Sequence, residues 1–62
     1  MKYYKMYVGD DKPEEIDYID ALRSLLTTYK DNDITREMLT EPGIVRCRFS
    51  FIIIKDESEV TA

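Results

Sequence analysis

The stretch from Ile44 to Lys55 constrains the fold of this 62-residue chain more than any other feature. It is rich in isoleucine, valine and phenylalanine and contains no glycine or proline, which is typical of a β-strand without an internal turn. At about 3.3 Å per residue, a strand of this length extends about 40 Å. We therefore predict one long strand over residues 44–55.

A second strand is predicted near the start of the chain, over residues 2–8. Aromatic, apolar and basic residues alternate there with a period of two, as they do on the two faces of a sheet. We expect one set to face the core and the other to be exposed; the sets are Tyr4, Met6 and Val8, and Tyr3, Lys5 and Tyr7. This strand extends only about 23 Å, much less than the long one.

Between the strands, the sequence predicts a main helix over residues 12–30 and a short helix over residues 34–40. Asp11 and Glu14 have the spacing of a capping box, and Asp33 has the position of a second helix cap. Apolar residues then recur every three or four positions along the main helix, at Ile16, Ile19, Leu22, Leu26 and Tyr29. The polar tail, residues 56–62, is expected to fray.

These elements predict an α+β fold of two layers, in the order strand, helix, short helix, strand, with the main helix on one sheet face. Because the strands differ in length, much of the long strand lacks a partner, and homodimerisation would complete the sheet. Phe51, Ile52, Ile53 and Ile54 are the candidate dimer interface, since they place apolar side chains on both faces. Alternatively, the short helix covers the second face with Ile34, Met38 and Leu39, and the monomer is self-sufficient.

Composition narrows the class of function. The chain has the size of a single domain; Cys47 is its one cysteine and there is no histidine, so we expect no internal disulfide, no structural metal site and no cofactor. We expect no catalysis, and we interpret Cys47 as a buried small hydrophobe rather than a nucleophile. The longest apolar run, residues 51–54, is too short for a membrane span, and no secretory signal is visible. A cytoplasmic location is expected.

One candidate binding surface combines aromatic rings with cations. If the predicted strands pair, five residues share the exposed face, and such a face can stack bases and contact phosphates; they are Tyr3, Lys5, Tyr7, Arg46 and Arg48. This predicts binding of a nucleotide or a single-stranded nucleic acid. The simpler interpretation is cross-strand packing of the basic stems against the rings.

A second candidate surface is acidic. Glu14, Asp17 and Asp20 would form a stripe on the predicted main helix, and with the preceding turn they could imitate the phosphate spacing of a nucleic acid. The net charge of −4 is mild for such a mimic, and a solvated helix face explains the same residues.

Taken together, these features favour a small cytoplasmic module that binds and modulates another protein. Small size and acidic composition resemble phage-encoded host modulators and inhibitors in style, although no motif carries the likeness and no family is assigned. Nucleotide or single-strand binding and acidic nucleic-acid mimicry are the alternatives. A purely structural subunit of a larger assembly is a further possibility, which the sequence does not discriminate.

Overall fold

A computed structural model describes residues 1–56; the predicted tail lies outside these residues except for Asp56. Residues 1–56 form two helices and a four-stranded antiparallel sheet, which confirms the α+β class. Helix and strand bounds are β1 (Lys2–Tyr7), β2 (Glu14–Ile16), α1 (Tyr18–Tyr29), α2 (Asn32–Met38), β3 (Gly43–Arg46) and β4 (Ser50–Lys55). The strand order across the sheet is β2-β1-β4-β3.

The prediction of one long strand over residues 44–55 is wrong. The chain reverses at Arg48 and Phe49, and the backbone N–H of Cys47 donates to the carbonyl of Ser50 at 2.7 Å. β3 and β4 therefore form a hairpin in which Val45 lies opposite Ile52. Because the turn contains two residues, odd-numbered residues of β3 share a face with even-numbered residues of β4.

The predicted main helix begins six residues too early. Residues 14–16 instead form the edge strand β2, which pairs with β1, and the helix begins at Tyr18 after the cap residue Asp17. The carboxylate of Asp17 accepts the backbone N–H of Asp20 at 2.8 Å. Pro13 favours an extended conformation at the residue before it, and Ile16 packs against the core from β2, so the segment gains more as a strand than as a helical turn.

The short helix is present but begins two residues earlier than predicted, at Asn32. Its cap is Asp31 rather than Asp33: the Asp31 carboxylate accepts the backbone N–H of Ile34 at 3.0 Å. The chain enters this helix through Lys30, which has the left-handed conformation (φ 56°) that ends α1. Leu39, at the end of α2, is only 1% exposed, so this helix does cover part of the sheet.

Both helices pack on the same face of the sheet. The buried core contains six residues: Ala21, Leu25, Leu39, Cys47, Ile52 and Ile54. Tyr3 lies opposite Ile54 and Lys5 lies opposite Ile52, so these β1 residues share the helix-covered face with the core. The predicted strand faces are thus reversed: Tyr4 and Met6 lie on the open side. Alternation alone could not assign them, because both faces of β1 carry large side chains.

Within residues 1–56, no helix is both long and apolar enough to span a membrane.

Adjacent isoleucines on β4 test this assignment of faces. Ile52 is fully buried and Ile53 is only partly buried. We expect Ile52→Val to lower the free energy of unfolding by about 0.5–1.5 kcal/mol, because it leaves a methyl-sized gap in the core. Ile53→Val should cost clearly less, since solvent and neighbours can fill the space. Urea unfolding of both variants measures the difference; equal losses would contradict the assignment.

Candidate functional site

One face of the sheet is left uncovered by the two helices. The register places five apolar side chains there, opposite one another on β1, β4 and β3: Tyr4, Met6, Ile44, Phe51 and Ile53. We call this set the open sheet face. Four of its members are partly buried because cross-strand neighbours shield them, and Ile44, on the edge strand, is 69% exposed. The result is a continuous apolar strip on a small domain.

Charged residues surround this strip. The ammonium group of Lys55 lies 5.5 Å from the centre of the Tyr4 ring, a cation–π distance. Lys2 and Glu15 form an ion pair at 2.8 Å beside it. Arg46 lies opposite Phe51 and so occupies the same face at the other end. Three cations and one carboxylate on this face contrast with the net charge of −4.

The outer edge of the sheet at β3 is partly closed. The hydroxyl of Tyr29, at the end of α1, donates to the backbone carbonyl of Arg46 at 2.6 Å. The backbone N–H of Cys47 donates to the Ser50 carbonyl and so points toward β4. Because backbone groups of successive residues alternate in an antiparallel hairpin, those of Ile44 and Arg46 point away from β4. Tyr29 thereby occupies one of the backbone carbonyl groups to which an added strand would hydrogen-bond, which weakens this edge as a site for strand addition.

The five residues of the predicted aromatic and cationic face do not share one face. Tyr3 packs against the core, and its hydroxyl donates to the carbonyl of Leu39 at 3.2 Å. Arg46 lies on the open side of the sheet. Lys5, Tyr7 and Arg48, however, do come together on the helix side, where they line a small hollow beside α1. The prediction therefore identified part of a surface but assembled it incorrectly.

That hollow is continuous with a larger groove between the end of α1 and the β3–β4 hairpin. The two depressions have volumes of about 110 and 500 Å³ and share Thr27, Cys47 and Arg48. We call them together the basic groove. Three cations line it: Lys5, Lys30 and Arg48. Arg46 also borders the larger depression, but the register places its side chain on the open sheet face. Neither this groove nor the place of Lys30 in it could be predicted before the hairpin was known.

The predicted acidic stripe does not lie on one helix. Glu14 belongs to β2, Asp17 is the helix cap, and Asp20 lies in the first turn of α1. All three are exposed. The carboxylate of Asp17 already accepts the backbone N–H of Asp20, so one member of the stripe has a structural role in starting the helix.

Of the predicted dimer residues, Ile52 and Ile54 are buried by the chain's own helices, at 0% and 2% exposure. Their side chains therefore offer no surface to a second copy, which corrects that part of the prediction. Phe51 and Ile53 belong to the open sheet face. Sequence reasoning missed Tyr4, Met6 and Ile44 as their neighbours, because only the β1–β4 and β3–β4 registers bring them together.

Cys47 lies between the core and the basic groove and is 5% exposed. Burial raises the pKa of its thiol, against the smaller opposing effects of hydrogen bonds with Thr28 and Ser50 and of the nearby charge of Lys5. Burial likewise raises the pKa of the Tyr3 hydroxyl, with Tyr18 adding to the effect. The Cys47 thiol is therefore neutral at pH 7 and a poor nucleophile.

Comparison with known protein families, with characterised proteins and with solved structures finds no match to this chain. The geometry of two surfaces, the open sheet face and the basic groove, is therefore the basis for proposing a function.

The raised pKa values of Cys47 and Tyr3 predict loss of stability at alkaline pH. Both groups hold their protons more tightly in the folded chain, so unfolding releases protons once the pH passes the unfolded pKa values of about 8.5 and 10. The stability that these protonated groups contribute is fully present below pH about 8, and it is lost as the pH rises through their pKa values in the folded chain. Urea unfolding at a series of pH values measures it.

Cys47→Ala isolates the thiol. The variant should be less stable than the wild type at neutral pH because it loses buried contacts. Its stability should nevertheless fall less steeply through the first part of the alkaline range, where the wild-type thiol ionises on unfolding. An unchanged slope would show that the environment of Cys47 does not favour the protonated form.

Proposed function

We propose that this chain is a protein-binding module that acts by binding rather than by catalysis, and that the open sheet face is its contact surface. The observation that supports this most directly is the uncovered apolar strip, because both helices lie on the other side of the sheet. A contiguous apolar patch rimmed by polar residues is the kind of surface that marks a protein contact site. The single buried thiol suits a reducing compartment, so we propose a cytoplasmic partner.

The charges around the strip define the chemistry of the partner. Lys55 and Arg46 lie at opposite ends of the open sheet face, and Glu15 is already paired with Lys2. A partner with an apolar centre and carboxylates at its rim would bury the strip and satisfy both cations. Complementary charge of this type raises the rate of association and excludes partners of the wrong sign.

A second copy of the chain is the competing occupant. The homodimer prediction assumed strands of unequal length, but β1 and β4 pair over their whole length, so that premise no longer holds. Pairing two open sheet faces would bring Lys55 and Arg46 of both copies into one interface. Pairing two β3 edges would have to displace Tyr29 from the Arg46 carbonyl. Both features favour a different protein over a second copy.

Phe51→Thr with Ile53→Thr tests the contact surface. The changes keep β-branched or strand-compatible residues outside the core, so the fold should persist while the strip loses its largest apolar groups. We expect at least tenfold weaker binding, about 1.4 kcal/mol, of the protein that the wild type retains from a cytosolic extract. Ile19→Gln is the matched control, because Ile19 is 53% exposed on α1.

A retained protein supports the proposal only if its binding depends on the open sheet face. Equal retention by the wild type and the threonine variant, with circular dichroism showing both folded, would overturn it.

Charge reversal tests the acidic rim of the partner. Lys55→Glu should weaken binding and reduce its dependence on salt, because it removes an attraction at the interface. Arg23→Glu makes the same change of charge on the exposed side of α1 and should leave binding as it was. Equal effects of the two variants would show that net charge, rather than the rim of this face, controls binding.

Sedimentation separates the two occupants. A wild-type species near 7.3 kDa at micromolar concentration is expected for a chain that binds a different protein. A dimer that dissociates in the Phe51→Thr, Ile53→Thr variant would instead identify a second copy as the occupant and overturn the proposed acidic-rimmed partner.

A further inference from the structure

The basic groove concentrates positive charge in an acidic chain. Three of the nine lysine and arginine side chains line it, and among residues 1–56 no aspartate or glutamate does. In the described residues, none of these three cations takes part in an ion pair with a carboxylate. The Asp31 carboxylate, next to Lys30 in the sequence, accepts the backbone N–H of Ile34 and does not line the groove. The groove therefore presents unneutralised cations to solvent.

The helix next to the groove does not cancel this charge. The end of α1 carries roughly half a negative charge from its unpaired carbonyl groups. Lys30 and Arg48 are grouped around that end, and two full positive charges exceed the half charge of the helix. Cys47 adds no negative charge, since its buried thiol is protonated at neutral pH. The field in the groove is thus attractive to anions.

Hydroxyl groups supply hydrogen bonds beside these cations. Ser24, Thr27, Thr28 and Ser50 line the two depressions. The Thr28 oxygen accepts the backbone N–H of Arg48 at 3.1 Å, which fixes the hairpin tip against the end of α1. Lysine, arginine, serine and threonine are the side chains that most often contact phosphate oxygens.

Two aromatic rings flank the cations. Tyr7 is 50% exposed and Phe49 is 70% exposed, and both line the smaller depression. Lys5 lies 4.9 Å from the centre of the Tyr7 ring, and Arg48 lies 5.4 Å from that of Phe49. Each ring is held against a cation yet keeps exposed surface, an arrangement on which a nucleobase can stack beside its phosphate.

From this juxtaposition we infer that the basic groove binds a nucleotide: its phosphate lies between Lys30 and Arg48 and its base stacks on Phe49 or Tyr7. The larger depression, about 500 Å³, falls within the range of small-ligand sites. The same chemistry is present in a free mononucleotide and in a single-stranded oligonucleotide. This activity is separate from the protein contact proposed for the open sheet face.

Titration of the ¹⁵N-labelled chain with three probes tests the inference by nuclear magnetic resonance. The probes are inorganic phosphate, adenosine monophosphate and a short oligothymidylate, each at low salt. We expect both nucleotide probes to shift the amide signals of Thr28, Cys47 and Arg48, and inorganic phosphate to bind more weakly than either. Tighter binding of the oligonucleotide would identify a single strand as the source; tighter binding of the mononucleotide would identify a free nucleotide.

Lys30→Gln with Arg48→Gln should weaken nucleotide binding about tenfold, because it removes two charged hydrogen-bond donors from the groove. Arg23→Gln with Arg36→Gln removes the same charge from exposed positions on the two helices and should change it little. Dispersed amide signals verify that each variant is folded. Absent shifts, shifts outside the groove, equal effects of the two variants, or phosphate binding as tight as the nucleotides would each overturn the inference.

The variants also keep the two surfaces distinguishable. Lys55→Glu and the Phe51→Thr, Ile53→Thr pair lie on the open sheet face and should leave nucleotide binding unchanged. Loss of nucleotide binding in those variants would show that the basic groove is not the site.

Discussion

The pairing of β1 with β4 determines the rest of the structure. These two central strands pair over their whole length, from Lys2 opposite Lys55 to Tyr7 opposite Ser50. A shift of one residue would exchange every side chain between the two faces. Because Ile52 and Ile54 are buried beneath the helices, the register also decides that Tyr4 and Met6 lie on the open side. Both candidate surfaces are consequences of this one alignment.

Local patterns in the sequence were sufficient for the element types that depend on local physics. The strand β1, the amphipathic part of α1 and the α+β class follow from periodicity. The hairpin at Arg48 and Phe49 could not be predicted in this way, because it contains none of the glycine, asparagine or proline that usually mark a turn. Its backbone is held from outside the hairpin, by Thr28 of α1, and such a contact leaves no local pattern.

The candidate sites likewise contain some residues that local sequence patterns predict and others that only distant contacts bring together. Phe51 and Ile53 could be predicted to form part of an apolar surface because they belong to an apolar run. Lys5, Tyr7 and Arg48 were rightly grouped, although on the wrong side of the sheet. Lys30 could not be included, since it approaches the hairpin only through the end of α1. Composition was also a poor guide to charge: carboxylates gather near β2 and the start of α1, whereas cations gather at the opposite end of the helix.

The centre of the sheet is built from the first and last described strands of the chain. During synthesis, β1 is made well before β4. The edge of β1 that pairs with β4 therefore stays unpaired while both helices are synthesised. Closing so large a loop before any central pairing forms is entropically unfavourable and slows folding. Loss of β4 would also remove the middle of the sheet rather than an edge. A chain with this topology therefore reaches its native fold only after β4 has been synthesised.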